Sequence, residues 1–419
     1  MKLAEIYERV AGPDARLAFE AYDGSSAGAA DATCRVRINN PRAIRHIVRA
    51  PGELGVARAF VSGDIDFEGD IVEGLSLAQG LADADAGWRD LLDVVKAAKF
   101  GMIGPAPIPD EEVRIPKKLS LHSKSRDAEM ISHHYDVSNR FYEMVLGPTM
   151  AYTCAVFPTA DATLEEAQEE KFDLVCRKLD LQAGQRLLDV GCGWGGMVRH
   201  AAKHYGVQAL GVTLSKEQAE WAQKAIADDG LSDVAEVRHC DYRDVPEGQF
   251  DRISSIGLTE HIGWGQLDNY FTFLHTKLRD EGRLLNHAIM RPQAPLAAED
   301  HRIDPGGFMY RYVFPDGELE EVGEIITAMH RNGFEVHHEE NLRPHYAKTL
   351  HQWCRNLDDN WDACVSEVGE PRARVWALYM AASEWMFLTG RMHLHQVLGT
   401  KSVDGFSGMP LRWDFSRKR

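Results

Sequence analysis

From Thr163 onward apolar residues fall into step with a helix: Phe172, Val175, Cys176 and Leu179 follow a Thr163-Leu-Glu-Glu166 run with capping-box spacing. A helix is predicted to begin there. Arg186 to Gly191 then reads as a strand running into a glycine cluster, followed by a helix through His204 and a second strand over Val207 to Leu214. A second capping-box spacing, Ser215-Lys-Glu-Gln218, predicts a helix with Ala219, Ala222 and Ile226 on one face, and further strands are predicted at Ala235 to His239, Arg252 to Ile256 and Arg283 to Ile289. Strands alternating with helices of this length indicate an α/β fold whose parallel, doubly wound sheet is covered on both faces. Phe308, Tyr310, Tyr312 and Phe314 occupy every second position, which predicts an extended segment with four rings on one face. Val375 to Gly390 is apolar but contains Glu384, and reads as a buried core helix. Residues 1–100 mix short helical and strand patterns around Gly52, Gly55, Gly63 and Gly69 and form a smaller α+β domain. The segment 101–120, with Pro105, Pro107, Pro109 and Pro116, has linker composition, and 121–419 is then the larger domain.

Composition narrows the function. The 419 residues carry 47 Lys and Arg against 64 Asp and Glu, a formal net charge of −17, which argues against a general nucleic-acid binder. No apolar stretch reaches the roughly 20 residues of a spanning helix. Glu5, Glu8 and Asp14 interrupt the N-terminus where a secretory signal would be apolar, so the expected location is cytoplasmic. The seven cysteines are scattered without a Cys-x-x-Cys pair, which predicts reduced thiols. His133 and His134 are adjacent and point apart, and no metal site is expected.

The loop Asp189-Val-Gly191-Cys-Gly193-Trp-Gly195-Gly196 places glycines where a strand turns into a helix, so that backbone N–H groups can approach a nucleotide-like ligand. A dinucleotide site would need an acid about 20 residues on, but that region reads Gly211-Val-Thr-Leu-Ser215. The spacing instead resembles the S-adenosylmethionine loop of class I methyltransferases, with Asp241 and Tyr242 suited to the adenine. The runs Ser132-His-His-Tyr-Asp136, Ala151-Tyr-Thr-Cys-Ala155, Glu260-His-Ile-Gly263, Leu285-Asn-His-Ala-Ile289 and Arg311-Tyr-Val-Phe-Pro315, in this order, resemble the cyclopropane-fatty-acid synthase family over residues 120–400. Asn40-Pro-Arg and Gly63-Asp-Ile-Asp66 resemble the extra N-terminal domain of its phospholipid-acting members, which implies unsaturated phospholipid acyl chains as substrate.

The resemblance implies that a cis alkene attacks the sulfonium methyl of S-adenosylmethionine and that the resulting carbocation loses a proton to a bound bicarbonate. Carried over by motif, the base site is Cys154, Glu260, His287, Ile289 and Tyr312, with backbone N–H groups of Cys154 and Ile289 as donors. The cofactor site is Tyr152, Thr153, Asp189, Gly191, Gly193, Gly195, Thr213, Leu214, Gln218, Asp241 and Tyr242. Ring faces along 308–314, Tyr312 above all, are expected to stabilise the cation by about 0.5–2 kcal/mol each. Ala288, Leu258 and Thr259 depart from common family residues and leave the product open. It is either a cyclopropane ring or a methylene branch that a flavoprotein reductase would complete to a 10-methyl chain. A lipid-binding protein without catalysis is the alternative of another class, and a homodimer is left open. Arg114, Lys117, Lys118, Lys124 and Arg126, with the basic and aromatic tail Arg412 to Arg419, are expected to dock the chain peripherally on the inner face of the membrane.

Overall fold

The computed structural model describes residues 2–12, 15–82, 104, 106–113, 138–292, 304, 306–315, 317–412 and 414–415. The chain divides into two units, the first comprising Met1–Ile115, Asp304–Pro315 and Trp361–Trp385 and the second the remainder. The division expected at 101–120 separates composition types. It does not reveal that two later segments return to the N-terminal residues, because their ties are long-range. Within the first unit Val113 N–H donates to Arg311 O (2.8 Å), and Arg374 pairs with Asp66 (2.6 Å).

The first unit holds a four-stranded sheet in the order β2-β1-β3-β4, with β1 at Leu17–Ala21, β2 at Ser25–Ala27, β3 at Cys34–Ile38 and β4 at Ile65–Glu68. Leu3, Phe19, Ile38, Ile44 and Ile65 build its core. The segment expected to be extended at 308–314 instead begins with a helix, Phe308–Tyr312. Alternate rings and an i, i+4 pair coexist in that sequence, and the local end decides. The Glu53 carboxylate accepts from the Phe308 N–H (2.7 Å), satisfying a helix N-terminus. Phe308 and Tyr312 then lie one turn apart with ring centroids at 5.3 Å, while Phe314 meets Tyr379 edge-on. The helix expected from Val375 is observed within Glu370–Leu388, and Val375 to Ala381 are buried.

The second unit is built on a seven-stranded sheet, β10-β11-β9-β8-β5-β6-β7. Its strands are β5 Arg186–Val190, β6 Gln208–Thr213, β7 Ala235–His239, β8 Phe250–Ile256, β9 Leu278–Met290, β10 Glu335–Asn341 and β11 His393–Thr400. The five predicted strands are mutually parallel, and β11 and β10 extend the sheet antiparallel beyond β9. Because β6 and β8 flank β5 on opposite sides, the strand order reverses at the end of β5, the place where open α/β sheets bind ligands.

Both predicted caps form. Thr163 accepts from the Glu166 N–H (3.2 Å) and Glu166 from the Thr163 N–H (2.9 Å), starting the helix Leu164–Leu179. Ser215 accepts from the Gln218 N–H (3.2 Å), but the Gln218 side chain turns to the Thr213 hydroxyl (2.8 Å) instead of closing the box. Among the described residues no helix is long and apolar enough to cross a membrane.

Candidate active site

The β5 strand delivers Asp189, fully buried, whose carboxylate accepts from Ser254 Oγ on β8 (2.6 Å). Burial pushes this carboxyl up to about 7. The loop beyond it is held against β6 by the Gly191 and Cys192 N–H groups, both donating to Val212 O. Gly191 has φ +73°, and a Cβ there would stand 3.2 Å from Leu258. A side chain there is strained by the backbone and would have to push the Leu258 side chain aside. Gly195 faces another way: a Cβ there would stand 3.1 Å from Ala222 and 3.3 Å from Val237, and it is not among the residues that line the two pockets beside the loop.

These two pockets flank the loop and share Gly191, Gly193, Gln218 and Gly257 in their walls, which makes them adjoining lobes of one cleft around the loop. One lobe gathers the expected Thr213, Leu214 and Tyr242, together with Leu258, singled out in the sequence as a departure, and His261 and Ile262, which sequence reasoning did not assign to the cofactor. The Tyr242 ring is held edge-on by Tyr270 and Phe273, each 5.4 Å away. Asp241 does not line the lobe; its carboxylate accepts from Arg243 Nε (2.7 Å) and N–H (2.9 Å). The other lobe gathers the expected Tyr152, Thr153 and Asp189 with Lys171, Phe172 and Trp194. Lys171 was missed although its signal was legible. It stands four residues after Ala167 and four before Val175, on the apolar stripe of its helix, where a charge is out of place.

Four of the five expected base-site residues lie in the second unit. Glu260 sits in the short turn Thr259–His261 after β8, its Oε1 accepting from the Ile289 N–H (2.7 Å). That N–H, expected to be a donor to a bound anion, is spent on Glu260. Glu260 Oε2 is buried with no partner among the described residues, and burial pushes the carboxyl up to about 7.

His287 lies two residues before Ile289 on β9, and its tautomer follows from a relay. Lys178 Nζ donates to Gln396 Oε1 (2.8 Å) and also contacts Glu340. The Gln396 amide NH2 is left to donate to His287 Nδ1 (3.1 Å). The ring proton is therefore assigned to Nε2, which is buried and has no partner among the described residues. Burial, with Lys171 and Lys178 nearby, holds His287 well below its ordinary pKa, so the ring is neutral.

Cys154 is fully buried with its thiol against Ala155 O (3.1 Å), and burial raises its pKa well above the usual thiol range. It behaves as an inert small hydrophobe. Tyr312 belongs to the first unit, where its hydroxyl stands 3.4 Å from Glu112 Oε2 and Arg58 grips that carboxylate through two nitrogens at 2.7 Å. The motif 132–136 with His133 and His134, and the basic run 114–126, lie outside the described residues. Among the described residues no cluster of His, Cys, Asp and Glu has the geometry to hold a metal.

A model of the mycolic acid cyclopropane synthetase family matches residues 122–397. A protein of Mycobacterium tuberculosis named probable fatty acid methyltransferase is 53% identical over 94% of this chain and 94% of its own length. A Pseudomonas putida protein of the same name is 38% identical over 90% and 89%. Among solved structures, the mycolic acid cyclopropane synthase CmaA1 complexed with SAH and CTAB superposes with a TM-score of 0.61 at 33% identity, covering 65% of this chain and 97% of its own.

Proposed function

The chain belongs to the mycolic acid cyclopropane synthetase family, and we propose that it adds one carbon from S-adenosylmethionine to the cis double bond of a phospholipid acyl chain, giving a cyclopropane ring. It is an S-adenosylmethionine-dependent methyltransferase of class I fold acting on lipid acyl chains. The two-lobed cavity fits that cofactor. Leu214, Tyr242 and Ile262 offer apolar surface for an adenine, and Asp189 and Thr153 offer polar groups beside the glycine loop for the other end. The cofactor, when bound, supplies an electrophilic methyl group.

The observation that carries the proton-removal half of the reading is that two of the unpartnered buried atoms, Glu260 Oε2 and His287 Nε2, belong to residues next to the cavity lining, Glu260 preceding His261 and His287 O accepting from Gly257 N–H (2.8 Å). Each unsatisfied buried polar group costs about 1–3 kcal/mol, and a small anion such as bicarbonate would relieve both. The His287 Nε2–H donates, and Glu260, poised at about 7, donates in its protonated form. The Cys154 backbone joins the set by family resemblance. The chain's own contribution is to orient these donors and to keep water out, since none of the four second-unit groups is exposed.

The methylene-branched product is the second reading, favoured by the fatty acid methyltransferase names of both relatives. The three departures from common family residues bear on it unequally. Leu258 lines the cavity, Thr259 spends its hydroxyl on Asn286 (2.6 Å), and Ala288 is buried in the core cluster with Leu188 and Val190. Only Leu258 therefore shapes the wall. We also propose that residues 1–100 form a lipid-associated domain and that the basic run 114–126 gives salt-sensitive, peripheral membrane binding.

The test uses purified protein, a monounsaturated phospholipid and methyl-labelled S-adenosylmethionine. A cyclopropane product gains one CH2 and survives mild hydrogenation, whereas a methylene product takes up a further H2. No labelled carbon in the acyl chain overturns the lipid reading.

A further inference from the structure

We propose that Lys171 is a cofactor-binding residue whose ammonium, with the Thr153 hydroxyl, holds the carboxylate at the amino-acid end of S-adenosylmethionine, while Asp189 takes the ammonium of that same end. The inference rests on the cofactor reading of the cavity and not on the identity of the lipid or its product.

Three observations carry it. Lys171 is 1% exposed and lines the second lobe, its Nζ donating to Thr153 Oγ1 (2.7 Å) and standing 3.9 Å above the Phe172 ring. An ammonium has three donors, and a buried one without a carboxylate partner is costly. Asp189 lines the same lobe and is satisfied by a neutral hydroxyl, so this lobe presents one buried acid and one buried base. The other lobe presents no such pair, for its Thr213 and Gln218 bond each other and the Arg243 side chain lies against Asp241. A ligand that spans both lobes across the shared glycines therefore has its zwitterionic end with Lys171 and Asp189 and its uncharged base in the other lobe.

Burial holds Lys171 down to about 7 and Asp189 up to about 7, so each gains from a partner of opposite charge. The other groups facing Lys171 are Cys154, His287 on β9 and His200 on the helix Gly196–Tyr205. All three stay neutral across the physiological range: burial raises the thiol, lowers His287, and with the neighbouring His204 and lysines brings His200 to about 3.

Calorimetry with S-adenosylhomocysteine and with its decarboxylated analogue, which keeps adenosine, sulfur and ammonium, isolates the carboxylate. Lys171→Met is expected to weaken S-adenosylhomocysteine binding by about 10- to 100-fold and the analogue by no more than about threefold. Equal losses for both ligands, or none, overturn the proposal. Should that variant not fold, the unmodified protein decides. The affinity ratio of the two ligands falls as pH rises past about 7 because Lys171 loses its charge, while Asp189 acts on both ligands alike and cancels. A ratio constant between about pH 6 and about pH 9 overturns it. Carboxylate-selective binding without any product on lipid would retire the substrate reading and leave this assignment standing.

Discussion

The two halves of the site solve opposite problems. Around the glycine loop the polar groups that line the cavity hold neutral partners: Asp189 has Ser254, Gln218 has Thr213, and Lys171 has Thr153. At the end of β9, Glu260 Oε2 and His287 Nε2 are buried without partners among the described residues even though Lys178 and Gln396 fix the ring that carries the latter. Other buried polar atoms of the described residues also lack partners, but these two adjoin the cavity, where Gly257 N–H donates to His287 O (2.8 Å) and His261 follows Glu260, so a ligand there would complete their hydrogen bonding. The cofactor half is a slot whose charged groups already hold neutral hydroxyls; the base half has buried atoms with no partner among the described residues.

The largest effect that can separate the halves is on turnover. Glu260→Gln or His287→Ala should lower turnover by about 10²- to 10⁴-fold with S-adenosylhomocysteine affinity nearly unchanged, whereas Gly191→Val, forced against Leu258, should weaken that affinity first. Steady-state kinetics beside calorimetry checks this, and a common loss of affinity in all three variants would erase the distinction. A smaller effect is on stability. Folded Glu260 titrates at about 7 against 4.5 for an ordinary glutamate, so the folded chain holds the extra proton between those values. Stability contributed by this group is therefore lost as pH rises through that window. Glu260→Gln abolishes the dependence, and in urea denaturation it should gain about 2 kcal/mol more at pH 8 than at pH 5. A pH-independent difference would mean that Glu260 is not held in an apolar environment.

Much of the fold was legible because its signals are local. The cap at Thr163 and the strand at Ala235–His239 are where periodicity places them, and β5 occupies Arg186–Val190 ahead of its glycines. What failed was decided at long range. The alternating rings of 308–314 became a helix because Glu53, far away in sequence, satisfies its N-terminus. Segments 304–315 and 361–385 joined the N-terminal unit through contacts that no composition change announces. Within the site, Asp189 and Tyr242 line the cavity, while Gly195 faces Ala222 and Val237 and the Asp241 carboxylate accepts from Arg243. Nothing in Leu-Asn-His-Ala-Ile tells that a carboxylate from another turn reaches the Ile289 N–H. Lys171 could have been found from its place on an apolar stripe.

The claim that Glu260 and His287 await a small anion is tested most directly by depleting the assay of carbonate species under carbon dioxide-free gas and then restoring bicarbonate. The account predicts that methyl transfer falls on depletion and returns with saturating dependence on added bicarbonate, with no change in cofactor affinity. A rate indifferent to depletion and to restoration would contradict it.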